Sequence, residues 1–320
     1  MKRQDSHNEP KTILHTLTSI YSPAIDELTR KTDGTSYCAH FLEPDINSIP
    51  SSHQKYHFDE MIKVYLIGIL ERCHLASITS LARTNSWLKS SLSQLENNNL
   101  LGFSASLRGL LEATADAHDA TLITTKYLYN CFPFIYLRTA KSNTSAKPIV
   151  LEELEDRLIH YTYARKHPKG STPLPHHTNK SNTDYIRAIE QHGATGAMRL
   201  YSRLCELTHP ASPSISCFLQ QSDKHISLDF SQEKQIIHEI LTEYKITIEH
   251  IATLTINSAL TSLIILKKMK FRTPAPAESF FSYSADISIM LERINDFIKK
   301  SNCDDFVFAE SMWHINPTRI

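Results

Sequence analysis

The sequence predicts an all-α fold, an antiparallel helical bundle with irregular N- and C-terminal extensions. Three observations carry that expectation. The 320 residues contain only seven glycines, at 34, 68, 102, 109, 170, 193 and 196, where average usage would supply about three times as many. Glycine provides the positive φ of tight turns and lets backbone approach a phosphate, so a chain this poor in it suits neither a many-turned β protein nor a nucleotide-binding α/β fold. Apolar side chains recur at three- and four-residue spacing over long segments instead of alternating. Neither G-x-x-x-x-G-K nor G-x-G-x-x-G occurs, which excludes those two phosphate-cradling loops.

Residues 12–30 carry Ile13, Leu14, Leu17, Ile20 and Tyr21 at helical spacing and predict a first helix, or a helical pair broken at Pro23. Residues 31–57, with Asp33-Gly34, Pro44 and Pro50, read as loop, so 1–57 forms the N-terminal extension. The central bundle spans 58–271. Its first helix is lined by Met61, Ile62, Val64, Tyr65, Ile67, Leu70 and Leu75, and a second carries Trp87, Leu88, Leu92 and Leu95. Asn97-Asn98-Asn99 marks a turn. Over 103–130 the stripe Leu107, Leu110, Leu111, Thr114, Ala117 and Thr121 predicts a strong helix, with Arg108 and Glu112 one turn apart on its flank. Pro133 ends or kinks it.

Residues 152–163 predict a short amphipathic helix and 166–182 a polar loop rich in proline and histidine. Asn182 or Thr183 is placed to cap a helix running through Thr208, with Asp184 in its first turn. Gly193 and Gly196 inside that helix are read as a close helix crossing, and Pro210 and Pro213 stop it. Ile226, Leu228 and Phe230 alternate as in a short strand. Ser231 then caps the longest helix, 232–271, whose seam is Ile237, Ile240, Leu241, Tyr244, Ile248, Ile251 and Leu254. Lys267, Lys268, Lys270 and Arg272 crowd its end, as a solvated terminus or a contact for RNA backbone. A C-terminal extension, 272–320, holds a last helix over 286–300 and a tail.

Composition bounds function as well. Lys+Arg and Asp+Glu are 34 each, so a strongly basic nucleic-acid footprint is absent, and any such contact must come from a local patch or one assembled across a dimer. Six cysteines, at 38, 73, 131, 205, 217 and 303, form no C-x-x-C pair. They are expected to be reduced thiols filling the core of a cytoplasmic protein. The opening MKRQDSHNEPK has no apolar core of a secretory signal. The most apolar stretch, 251–266, is interrupted by Thr253, Thr255, Asn257, Ser258, Thr261 and Ser262. It falls short of the ~20 apolar residues of a membrane span, so a buried core helix is expected and no membrane partner.

The sharpest candidate for chemistry is Arg203 with His209, in YSRLCELTHPAS, where five residues separate arginine from histidine at a helix end. About two such spacings arise by chance in this composition, and two occur, the other being Arg187 with His192. Position at a helix end and the companion segment SLRGLLEATADAHDA favour the first pair. Together the R-x-L-L-E segment at Arg108–Glu112 and the Y-x-x-L-C-x-x-x-H-P segment from Tyr201 resemble HEPN-type helical domains, over roughly residues 60–270. In the commoner pattern of that superfamily a polar residue follows the arginine, whereas here it is Leu204.

The resemblance implies a metal-independent endoribonuclease, a toxin or antiphage defence effector, acting as a homodimer on RNA and attended by a neutralising or activating protein partner. It assigns catalysis to Arg203 and His209, with Arg108, Glu112, Tyr201 and Glu206 in support. The chemistry is intelligible: RNA supplies its own 2′-hydroxyl nucleophile, histidine an acid/base near neutral pH, and arginine a fork of donors for the phosphate. The residues alone leave a second reading open, a non-catalytic helical interaction or sensor module. In it Arg203 pairs with Glu206 or Glu112, Arg108–Glu112 orients helices, and His209 bonds a carbonyl. No cofactor or metal is expected. His160, His167, His176 and His177 match no zinc spacing, and Glu249/His250 and His238/Glu239 lack the Glu-x-x-His of di-metal bundles.

Overall fold

A computed structural model describes residues 12–37, 54–143, 146–174, 176–210, 212–272, 274–277, 285–303 and 313, with the side chains of 54–57 and 285 outside the description. Helix covers 73% of the described residues, and the fold is an all-α bundle. In chain order the helices are α1 (Ile13–Thr32), α2 (Gln54–Glu96), α3 (Leu100–Asn130), α4 (Phe132–Thr139), α5 (Glu152–Tyr163), α6 (Asn182–Gln191), α7 (Ala197–Thr208), α8 (Ser212–Ser216), α9 (Gln232–Glu243), α10 (Lys245–Lys268) and α11 (Ala285–Lys300). Between α8 and α9 lies an antiparallel ribbon of β1 (Leu219–Gln221) and β2 (Ile226–Leu228).

The chain divides into two compact units built from interleaved segments. The first takes Met1–Glu27, Ala82–Ala115 and Asn182–Leu254. Its buried residues include Leu14, Leu17, Leu88, Phe103, Leu107, Leu110, Leu200, Leu204 and Ile240. Asp26 accepts hydrogen bonds from Asn85 and Lys89, tying α1 to α2. Gly109 admits a close crossing, since a Cβ there would lie 2.8 Å from the ring of Trp87. The second unit takes Leu28–Leu81, Asp116–Ser181 and Thr255–Ile320. Phe132, Tyr136, Phe297 and Trp313 make an aromatic cluster in it. The buried Arg138 bonds Asp59 at 2.6 Å and the carbonyl of Ala146.

Several helices differ from expectation. Helix α1 runs unbroken through Pro23. The two helices expected over 58–95 are one 43-residue helix. Its middle is polar in sequence, but Ser77 and Ser80 are buried with their hydroxyls bonded to the carbonyls of Cys73 and Ser77. Such back-bonding lets small polar residues pass through a core. The helix expected from 182 to 208 is instead α6 and α7, because Gly193 and Gly196 adopt φ of +109° and +86°. They form a turn and not a helix crossing.

The helix expected over 232–271 divides at Tyr244 (φ −106°, ψ 18°), so α2 is the longer element. No glycine or proline signals that kink; the Tyr244 ring is buried beneath Arg199. Ser231 is helical and its hydroxyl serves Asp229, not the helix N-terminus. Helix α10 is long and apolar enough to cross a membrane by length and composition, and 67% of its most apolar window is buried inside the protein, as in a core helix. Most of the loop expected over 31–57 and of the tail expected over 301–320 lies outside the described residues.

Candidate functional site

The first unit brings together the two segments singled out by motif. Helix α7 buries Ala197, Leu200, Leu204 and Leu207, a stripe at three- and four-residue spacing. At about 100° per residue, Tyr201, Cys205 and Thr208 then share its flank, and Arg203 lies about 200° from Tyr201. On α3, Leu107, Leu110 and Leu111 are buried, which leaves Arg108 and Glu112 at the edge of the α7 flank.

The start and end of α7 are both fixed locally. At its start Gly196 is left-handed and supplies no side-chain cap. Glu190 takes that role, accepting from the backbone N–H of Gly196 at 3.0 Å and of Met198 at 3.4 Å. The turn is further held by Thr247, which donates to the Thr195 carbonyl at 2.8 Å. At the end, His209 is extended (φ −90°, ψ 153°), the conformation that the following Pro210 imposes on its predecessor. Its N–H still closes on the Cys205 carbonyl at 2.9 Å, so the imidazole is delivered just beyond the last turn.

Arg108 is the hub. Its Nε donates to Glu112 Oε1 at 2.9 Å, and its Nη1 donates to Thr208 Oγ1 at 3.2 Å and meets His209 Nε2 at 3.3 Å. A guanidinium only donates, so this contact requires Nε2 to be the acceptor of a neutral imidazole with its proton on Nδ1. The Tyr201 hydroxyl donates to the same Glu112 oxygen at 3.2 Å, and Arg108 lies over the Tyr201 ring at 5.6 Å. None of the described residues accepts from Nη2 of Arg108. The guanidinium is about a quarter exposed and His209 is exposed, so solvent and solutes reach both.

Electrostatics keep the hub charged. Burial works to lower the Arg108 pKa, but the hydrogen bond and charge of Glu112 outweigh it and the net shift is upward. The Tyr201 phenol is pushed up by burial first, with Glu112 adding to it. It therefore remains a donor at neutral pH.

Two of the residues expected at the site lie elsewhere. Arg203 pairs with Glu206 at 3.7 Å along the outer side of α7, one of the pairings left open by the sequence. Arg108 stands against His209 in its place. Leu204, where the commoner pattern has a polar residue, is fully buried and belongs to the core. The other spacing match is also divided: Arg187 pairs with Asp184 on α6 at 3.4 Å, and His192 lies past the helix end in the glycine turn. Thr208 was missed by motif reading, though it stands one residue before His209 on the flank of Tyr201.

Histidines of α5 and of the 166–182 loop serve local structure in the second unit. His160 Nδ1 and His167 Nε2 bond the carbonyls of His176 and His177, and His177 stacks on Tyr163. Among the described residues no group of three or more His, Cys, Asp or Glu is arranged to hold a metal ion. At the basic end of α10, Lys267 and Lys270 are exposed, as in a solvated terminus, whereas Arg272 pairs with Glu71 at 2.7 Å and covers Tyr37.

No known protein family, curated protein or solved structure matches the chain.

Proposed function

We propose that this protein is a metal-independent endoribonuclease of HEPN-like type, with His209 as acid/base and Arg108 as the cation facing the scissile phosphate. The observation that carries the reading is the 3.3 Å contact between Arg108 and His209, drawn from the two motif segments 101 residues apart. Neutral His209 accepts the 2′-hydroxyl proton at Nε2 once Nη1 turns to a phosphate oxygen. The 2′-oxygen then attacks phosphorus and the bond to the 5′-oxygen breaks. The imidazolium returns its proton to that leaving oxygen, giving a 2′,3′-cyclic phosphate and a 5′-hydroxyl. Glu112 and Tyr201 hold Arg108 in place, and Arg203, on the outer side of α7, is no part of this chemistry. The proposal includes action as a cytoplasmic homodimer in toxicity or phage defence.

The test is incubation of the purified protein with total RNA in EDTA, with analysis of product ends. Cyclic phosphate ends from the parent, and their loss in His209→Ala and Arg108→Ala variants, support the reading. Full activity in a stably folded His209→Ala variant sinks it. A non-catalytic interaction module is favoured by a different observation: Arg108 already joins α3 to α7 through Glu112 and Thr208. If that brace is its whole role, the parent cleaves nothing and Arg108→Ala lowers the melting temperature.

A further inference from the structure

The β1–β2 ribbon exposes more apolar surface than its size warrants. Ile226 is 66% exposed, Leu228 70% and Phe230 64%. The register pairs Leu219 with Leu228, Gln220 with Ser227 and Gln221 with Ile226. The Ser222 N–H donates to the His225 carbonyl, and the Asp229 N–H donates to the Phe218 carbonyl. In an antiparallel ladder the residues that bond one neighbour alternate with those whose backbone groups point away. His225, Ser227 and Asp229 therefore turn their backbone toward β1, and Ile226 and Leu228 turn their N–H and carbonyl groups to the open edge. An uncapped apolar edge strand is a template for another strand.

We propose that the open edge of β2 pairs with β2 of a second copy of this chain, antiparallel and centred on Ser227. The strand is complementary to itself in that register. About a two-fold axis at Ser227, Ile226 faces Leu228 of the second copy and Leu228 faces its Ile226. Both are pairs whose backbone groups already point outward, so four inter-chain hydrogen bonds form. All four apolar side chains fall on one face. On the other face His225 meets Asp229 of the copy. A shift by one residue loses both matches, because the side-chain period is two. The proposal does not rest on the ribonuclease reading, since no residue of the Arg108–His209 cluster takes part.

The test is a cysteine at the axis in the full chain. In the proposed register Ser227 faces itself as a pair without hydrogen bonds, with Cα atoms about 4.5 Å apart, within reach of a disulfide. Under mild oxidation Ser227→Cys should give a covalent dimer whose linked peptides join the introduced thiol to its own copy, which the parent, oxidised in parallel, lacks. Adding Leu228→Pro removes one outward N–H without touching the bonds to β1, and should abolish the link. By light scattering against concentration, Leu228→Pro and Ile226→Lys should each weaken association by about tenfold or more. Circular dichroism identifies a variant that fails to fold, and two variants guard against that. A parent that stays monomeric to millimolar concentration overturns the proposal. So does an introduced thiol that links to other cysteines but not to itself, or dimerisation unchanged in both edge variants.

Discussion

Among the described residues each unit holds a cluster of arginine, histidine and carboxylate, and the two are wired differently. In the second unit a cleft of about 390 Å³ is lined by Glu152, Glu153, Asp156, Arg157, His160, His176 and Lys180. There Arg157 and Lys180 both bond one oxygen of Asp119, at 2.8 and 2.9 Å, and His176 lies 3.3 Å from Asp156. In the first unit Arg108 holds one carboxylate through Nε and turns Nη1 toward Thr208 and His209, and none of the described residues accepts from its Nη2. The lesson is that a count of chemical groups does not define a site. What differs is what the arginine meets: a carboxylate shared with a lysine in one cluster, and a carboxylate, a hydroxyl and an imidazole in the other.

That contrast can be broken most sharply by catalysis. His209→Ala and Arg108→Ala should each cut RNA cleavage by ~10²–10⁴-fold, whereas Asp119→Ala and Arg203→Ala should leave it within about threefold. Rates measured in EDTA beside melting curves decide it. An Arg203→Ala loss equal to that of Arg108→Ala would reverse the assignment made from geometry.

A second, smaller effect concerns the support of Arg108. A methyl group added at Gly109 meets the Trp87 ring at 2.8 Å. Gly109→Ala should therefore destabilise the fold by about 1–3 kcal/mol, seen as a lower midpoint in urea.

The cluster at Asp119 should reveal itself in pH dependence and not in chemistry. Burial works to raise the Asp119 pKa, but Lys180 and Arg157 hold it below the usual carboxylate range. A carboxylate depressed in the folded state contributes stability above its unfolded pKa of about 3.9 and loses it as pH falls through the folded value. Asp119→Asn should be less stable than the parent at pH 7, by about 1–2 kcal/mol because Arg157 and Lys180 are over a third exposed and water screens the loss. The gap should close as pH falls below about 4, the unfolded carboxylate value, read by thermal melts. A gap that stays constant would mean that packing, not charge, sets the difference. The smallest effect belongs to the cap of α7: Glu190→Ala should cost about 1 kcal/mol, and Glu190→Gln less, since the amide oxygen still accepts.

Much of the fold was legible because it is local. The stripe Leu107, Leu110, Leu111 and the pairing of Arg108 with Glu112 are set within two turns of one helix, and both are present. The end of α7 at His209 was readable from Pro210. What could not be read was which faces meet. Sequence spacing pointed to Arg203 as the partner of His209, and only the packing of α3 against α7 brings Arg108 there instead. The glycines at 193 and 196 were visible, but a helix crossing and a left-handed turn need the same residue, and φ alone separates them. The break at Tyr244 had no glycine or proline to signal it.

The contact between Trp87 and Gly109 also has an optical consequence. The chain has two tryptophans. Trp313 is 7% exposed and Trp87 39%, so a polar quencher such as acrylamide should reach Trp87 first and leave a shielded component from Trp313. Trp87 lies against the residue next to Arg108. Engagement of that arginine by an oligonucleotide should therefore alter the quenchable part of the emission while leaving the shielded part unchanged. Under the proposed function, Trp87 would report occupancy of the site by RNA analogues that lack a 2′-hydroxyl and cannot be cut.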